Sequence, residues 1–190
     1  MSMSDSEAIE AFAREWAAFY ADRKPMGWML RQDKSLPWIR FHSLPGSKRY
    51  PEDHNEEAIV LQRARVLGKA ILGGNADCWQ VQCRPKEPNP PYWSVPVTGV
   101  ESSTFADDEE DGGLWTAYVS SITWRRNELD ATLLAIADDR SGPTLWVSRK
   151  AGKIFAPYDG GFDLFPASMH EVARLKADHE DWLSSHPDGL

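Results

Sequence analysis

Between Thr144 and Phe165 the chain reads as three short strands joined by two tight turns, and nothing else in the sequence constrains its fold as strongly. Thr144-Leu-Trp-Val-Ser148 is β-branched and aromatic, the composition of a pleated, well-covered strand. Lys150-Ala-Gly152 suits a three-residue hairpin loop with glycine in the left-handed position. The chain returns through Lys153-Ile-Phe-Ala156, and Asp159-Gly-Gly161 turns it again into Phe162-Asp-Leu-Phe165. Two successive hairpins require antiparallel pairing, because parallel neighbours need a long crossover.

Three further segments add to this sheet. Trp38-Ile-Arg-Phe-His42 alternates, with Ile39 and Phe41 on one face and Trp38, Arg40 and His42 on the other. Cys78 to Arg84 places Trp79, Val81 and Cys83 on one face and Gln80, Gln82 and Arg84 on the other. Leu114 to Trp124 also alternates, whereas Leu129 to Ala137 fits helix or strand.

Helical periodicity marks three segments. Ser4 with Glu7 forms a capping box ahead of a stripe of Ile9, Phe12, Ala13, Trp16, Phe19 and Tyr20, closed by Pro25 and Gly27. Pro51 suits the first turn of a second helix, whose stripe includes Ile59, Arg63, Val66, Leu67, Ala70 and Ile71 and which stops at Gly73-Gly74. Ser168 with Glu171 opens a C-terminal helix. The expected fold is therefore α+β: an antiparallel sheet of about five to seven strands, covered on one face, with two helices in the N-terminal half and one at the C-terminus. Residues 1–190 are expected to form a single domain.

The exception is 85–113. The stretch from Pro85 to Pro96 holds five prolines, both ends included, and the acidic run Asp107 to Asp111 follows. Proline density of that order excludes a central strand. The stretch reads as a long exposed excursion, with at most a short strand at 94–100.

Net charge is −8, which argues against nucleic acid as a ligand, since phosphate binding draws on a basic surface. The charge is segregated. Cations dominate from Arg23 to Arg49, while Glu101, Asp107, Asp108, Glu109, Glu110 and Asp111 face no cation in their own segment. Cys78 and Cys83 are the only cysteines, and a separation of five puts them on opposite faces of a strand. They match no zinc or redox spacing, so no metal or cofactor is expected. Unpaired thiols, an acidic start and a longest aliphatic run of only Leu133 to Ala137 lead to the expectation of a cytoplasmic protein with no membrane partner.

No catalytic signature appears: there is no phosphate loop, HExxH, nucleophile elbow or CxxC. Two loops concentrate special residues. In His42-Ser-Leu-Pro-Gly-Ser-Lys-Arg-Tyr50, the serines, Lys48 and Arg49 near a helix start could form an anion pocket; alternatively Ser43 and Ser47 only set the turn. In Ala156-Pro-Tyr-Asp-Gly-Gly-Phe-Asp163, Asp159 can close an Asx turn. Asp163 lies between apolar neighbours, so it either faces solvent or is held by Arg40 or Arg49.

Those two motifs, with the closing Trp182-Leu-Ser-Ser-His-Pro-Asp-Gly-Leu190, resemble a family of small bacterial proteins of uncharacterised function. The resemblance implies bacterial origin and a shared fold, and it carries no activity. Small acidic domains of this kind include many immunity proteins, which neutralise toxins.

Two functions follow as expectations. The first is a non-catalytic binding protein, an immunity-type inhibitor masking a basic toxin, with Tyr92, Trp93 and Asp107 to Asp111 as the partner-binding residues. The second is a small-molecule-binding or hydrolytic enzyme with a pocket formed by Arg40, His42, Lys48, Arg49, Tyr158, Asp159 and Asp163. The second requires the 42–50 loop and the 158–163 turn to meet.

Overall fold

The computed structural model describes residues 3–88, 90–107, 113–125 and 127–184. Its centre is a seven-stranded antiparallel sheet in the order β1-β7-β6-β5-β2-β4-β3. The strands are β1 (Ile39–His42), β2 (Asp77–Pro85), β3 (Val100–Ala106), β4 (Leu114–Thr123), β5 (Thr144–Ser148), β6 (Ile154–Tyr158) and β7 (Gly161–Phe165). The helices are α1 (Asp5–Tyr20), α2 (Gly27–Gln32), α3 (His54–Leu72), α4 (Asp130–Ala137) and α5 (Met169–Asp178). No helix among the described residues is long and apolar enough to cross a membrane.

The two hairpins form as expected, with Gly152 at φ +67° and Gly160 at φ +104°. Both conformations are nearly free for glycine and costly for a residue with a Cβ. The α1 capping box closes: Ser4 N–H donates to Glu7 Oε2 at 2.8 Å, and Ser4 Oγ accepts from Glu7 N at 3.4 Å. Phe12, Trp16 and Tyr20 form the buried stripe, while Phe19 is displaced to a 44% exposed position at its margin.

The sheet is covered on both faces, which corrects the expectation of one. On one face α1 packs Phe12 against Trp79, ring centroids 5.8 Å apart, within a cluster that includes Val81, Cys83, Ala117, Val119 and Leu145. On the other, α3, α4 and α5 enclose Cys78, Trp146, Phe155, Phe162 and Leu164. Cys78 and Cys83 thus belong to opposite cores, and burial pushes both thiols up to about 12. The polar side of β2 is also interior. Gln80 Nε2 donates to Thr98 Oγ1 at 2.9 Å, and Gln80 Oε1 accepts from Trp146 Nε1 at 3.0 Å. Gln82 Oε1 accepts from both the backbone N–H and the hydroxyl of Thr98 at 2.8 and 2.9 Å. Buried amides are tolerated where their hydrogen bonds are made.

The partner of those amides is the proline-rich stretch, which docks on β2 through Val95 and Thr98. Arg84 Nη2 donates to the Val95 carbonyl at 3.3 Å, and the Ser94 N–H to the Arg140 carbonyl at 3.0 Å. Residues 94–98 hold no strand; the strand is β3, further on, at the sheet edge. Two helix boundaries also move. Pro51 lies ahead of α3, whose N-cap is Asp53, accepting from Asn55 and Glu56 N–H at 2.9 Å each. Gly27, read as a terminator, instead opens α2, where an added Cβ would lie 2.9 Å from that of Ala156. The N-terminal half therefore holds three helices, not two.

Candidate functional site

The two special loops meet at one end of the sheet because β1 and β7 are neighbours. Their register sets Arg40 directly across from Asp163 and His42 across from Gly161. Asp163 is 3% exposed. Its Oδ1 accepts from Arg40 Nε and Trp38 Nε1, both at 3.0 Å, and its Oδ2 accepts from Arg31 Nη1 at 3.2 Å. The Arg40 guanidinium lies between the rings of Tyr158 and Trp38, 4.7 and 5.6 Å from their centroids. Burial pushes the Asp163 carboxyl up, opposed by the charge and hydrogen bonds of Arg40 and by Trp38. Burial likewise raises the Tyr158 phenol.

Outside this buried cluster the turn is tied to the loop. Asp159 Oδ2 accepts from Arg49 Nε at 2.5 Å and from Tyr50 Oη at 3.0 Å. The Ser43 N–H donates to the Gly160 carbonyl at 3.0 Å. His42 Nε2 is 3.1 Å from Ser47 Oγ. Ser47 and its predecessor Gly46 both have positive φ, +59° and +65°. Arg63, a buried cation of α3, donates to the His42 carbonyl at 2.8 Å.

A cleft of about 270 Å³ opens beside the turn, lined by Trp28, Arg31, Trp93, Asp139, Tyr158, Asp159 and Asp163 among others. It gathers part of the expected pocket: Tyr158, Asp159 and Asp163 face it, and Arg40 backs Asp163 from behind. His42, Lys48 and Arg49 do not line it. Lys48 is removed by two carboxylates, Glu56 at 2.7 Å and Glu52 at 3.0 Å, which draw its ammonium to the start of α3.

The expected partner-binding residues fall differently. Tyr92 is 56% exposed. Trp93 is a wall of the cleft, its Nε1 donating to Asp139 Oδ1 at 3.4 Å and its ring 5.6 Å from the Arg84 guanidinium. The Asp107 N–H donates to the Gly113 carbonyl at 3.0 Å. Asp108, Glu109, Glu110 and Asp111 lie outside the described residues.

A family model described as a domain of unknown function, DUF3885, matches residues 26–187. The chain belongs to the DUF3885 family. No curated protein and no solved structure matches it. Within the DUF3885 match lie both loops and every residue named for the cleft.

Among the residues of the DUF3885 cleft that sequence reasoning missed are Trp28, Arg31 and Asp139. Arg31 belongs to the basic segment already noted, and its position one helical turn after Trp28 would have paired the two had α2 been anticipated. Asp139 carried no signal, since it holds a left-handed conformation, φ +53°, after α4. Among the described residues, no group of three or more His, Cys, Asp or Glu is arranged to hold a metal ion.

Proposed function

We propose that this domain is a non-catalytic binding protein for a basic protein partner, of the kind that neutralises a toxin by masking it. The observation that carries this reading is the cleft, with two indole walls, Trp28 and Trp93, and the carboxylates of Asp139 and Asp159. An arginine or lysine side chain would lie against the indole faces and place its charge near the acids. Asp163 is already shared by Arg31 and Arg40, and Asp159 by Arg49 and Tyr50. Among the described residues Asp139 takes one side-chain hydrogen bond, the long one from the Trp93 indole, with the Arg49 charge also acting on it, and so is the least committed of the cleft's acids. Tyr92, edge-on to Trp93 with centroids 6.5 Å apart, extends the aromatic surface outward. A net charge of −8 would speed encounter with a basic surface.

The test is retention of host proteins on the immobilised domain at low ionic strength, followed by a salt gradient. A basic protein should be retained and then released by salt. Trp93→Ala should weaken its binding at least about tenfold, as loss of an aromatic anchor does, and Asp139→Asn should lower the salt needed for release. Retention of no basic protein, or indifference to both substitutions, rejects the reading.

The Ser47–His42 contact favours a second reading, ester hydrolysis with Ser47 as nucleophile. Ser47 is exposed, and its hydroxyl proton would pass to His42 Nε2 as Oγ attacks an acyl carbon. Burial, then the charges of Arg40 and Arg63, lower the His42 pKa below its ordinary 6.5, against the pull of the Gly160 carbonyl. The imidazole is therefore a neutral base at neutral pH. Hydrolysis of p-nitrophenyl acetate should rise with pH through a midpoint below 6.5 and then level off. Ser47→Ala and His42→Ala should both abolish this pH-dependent component; a Ser47→Ala protein as active as the parent removes the reading.

A further inference from the structure

A second hollow, larger than the cleft, lies on the helical side of the sheet, away from the two loops. It lies between α3, the β4–α4 connection and α4, with a volume of about 490 Å³. That volume is within the range of roughly 300–1,000 Å³ typical of small-ligand sites. Its apolar lining comes from Val66, Trp124, Leu129 and Leu133, and its charged lining from Arg65, Lys69, Arg125 and Asp130.

The floor is rigid. Trp124 is 5% exposed and meets Trp146 and Phe155 edge-on, with centroids 5.5 and 5.4 Å away. The charges do not cancel. Arg65 Nε donates to Asp130 Oδ1 at 3.1 Å, and Arg65 Nη2 makes a second bond to Oδ2, so this pair is self-satisfied. Arg125 has one exposed partner, Glu128, at 3.4 Å, and that residue does not line the hollow. Lys69 makes no ion pair among the described residues. A protein of net charge −8 thus keeps a locally cationic rim over an apolar, indole-floored cavity.

We propose that this hollow binds a small amphipathic acid free in solution, a carboxylate or sulfonate head on an apolar body, with the head at Lys69 and Arg125 and the body on Trp124. A neutral apolar ligand would add nothing for Lys69, and would leave Arg125 with its exposed contact to Glu128. A fully polar anion would leave the apolar lining without contacts. The site is separate from the cleft, so its occupancy is independent of the partner-binding function proposed above.

The experiment uses the whole protein and the fluorescent probe 8-anilinonaphthalene-1-sulfonate, displaced by decanoate. Near-ultraviolet circular dichroism confirms native packing, since this probe also stains loosened cores. Saturable binding, displaced by decanoate but at least tenfold less effectively by decanol, is expected. Lys69→Glu combined with Arg125→Glu, both exposed positions, should weaken decanoate at least tenfold while leaving the unfolding temperature little changed. Val66→Trp, which fills the hollow from its exposed margin, should reduce binding of both probe and acid. Decanol competing as well as decanoate, or unchanged affinity in the charge-reversed protein, overturns the proposal. Sedimentation with phosphatidylglycerol vesicles without decanoate binding also overturns it, in favour of a membrane headgroup.

Discussion

Asp163→Asn is expected to lower folding stability by about 3 kcal/mol, read as a shift of the urea unfolding midpoint at unchanged slope. The Arg40 side chain is 9% exposed, and among the described residues its one ion pair is with Asp163. An asparagine keeps one acceptor oxygen for Trp38 or Arg40, but it removes the negative charge and turns an NH2 toward donors. The guanidinium is then a buried charge beside two aromatic rings, with too little compensation. Arg31 loses its partner as well, although it can turn to water. Removing both ends tests the cause: Arg40→Met with Asp163→Leu should recover most of the loss, because a buried pair replaced by apolar groups is often close to neutral. An Asn variant as stable as the parent would mean that Arg40 finds another partner, and that the buried pair does not hold β1 to β7.

Gly68→Ala should destabilise by about 2 kcal/mol, although helix propensity alone favours the change by up to about 1 kcal/mol. Gly68 lies within α3, where alanine is normally the better residue. Its ideal Cβ would stand 2.1 Å from Trp124 Cζ2 and 2.8 Å from Cε2 and Cη2. The ring is held edge-on by Trp146 and Phe155, which resist its withdrawal. Either α3 lifts from the sheet or Trp124 leaves its rotamer, and both disturb the central core. Thermal unfolding decides it: a variant with a higher midpoint than the parent would show that the helix–indole contact can relax.

The parts of the fold legible in the sequence were those governed by local rules. Strands β5, β6 and β7 followed from alternation and from turns whose glycines need positive φ. The same alternation left Asp163 either facing solvent or held by Arg40 or Arg49; the structure pairs it with Arg40 and also with Arg31. What was hidden depended on contacts between distant segments. Gln80, Gln82 and Arg84 look solvent-facing until Thr98 and the Val95 carbonyl arrive over them. Strand β3 was masked by its acidic and hydroxylated residues, since an edge strand buries little and so needs little apolar alternation. In the cleft, Tyr158, Asp159 and Asp163 were foreseen; Trp28, Arg31 and Asp139 were not, because a six-residue helix and a left-handed aspartate leave no periodic trace.

The family match begins at residue 26, after α1 has ended at Tyr20. Yet it is α1 that shields Trp79, Val81, Ala117 and Val119 from water. The span that the family model matches is therefore shorter than the packed unit. Trimmed to the matched boundaries, the chain would carry an open indole-lined sheet surface, the kind of face that sticks to chaperones and to other copies of itself. For expression or domain grafting, the cut belongs before Ser4, where the capping serine still belongs to the helix it starts.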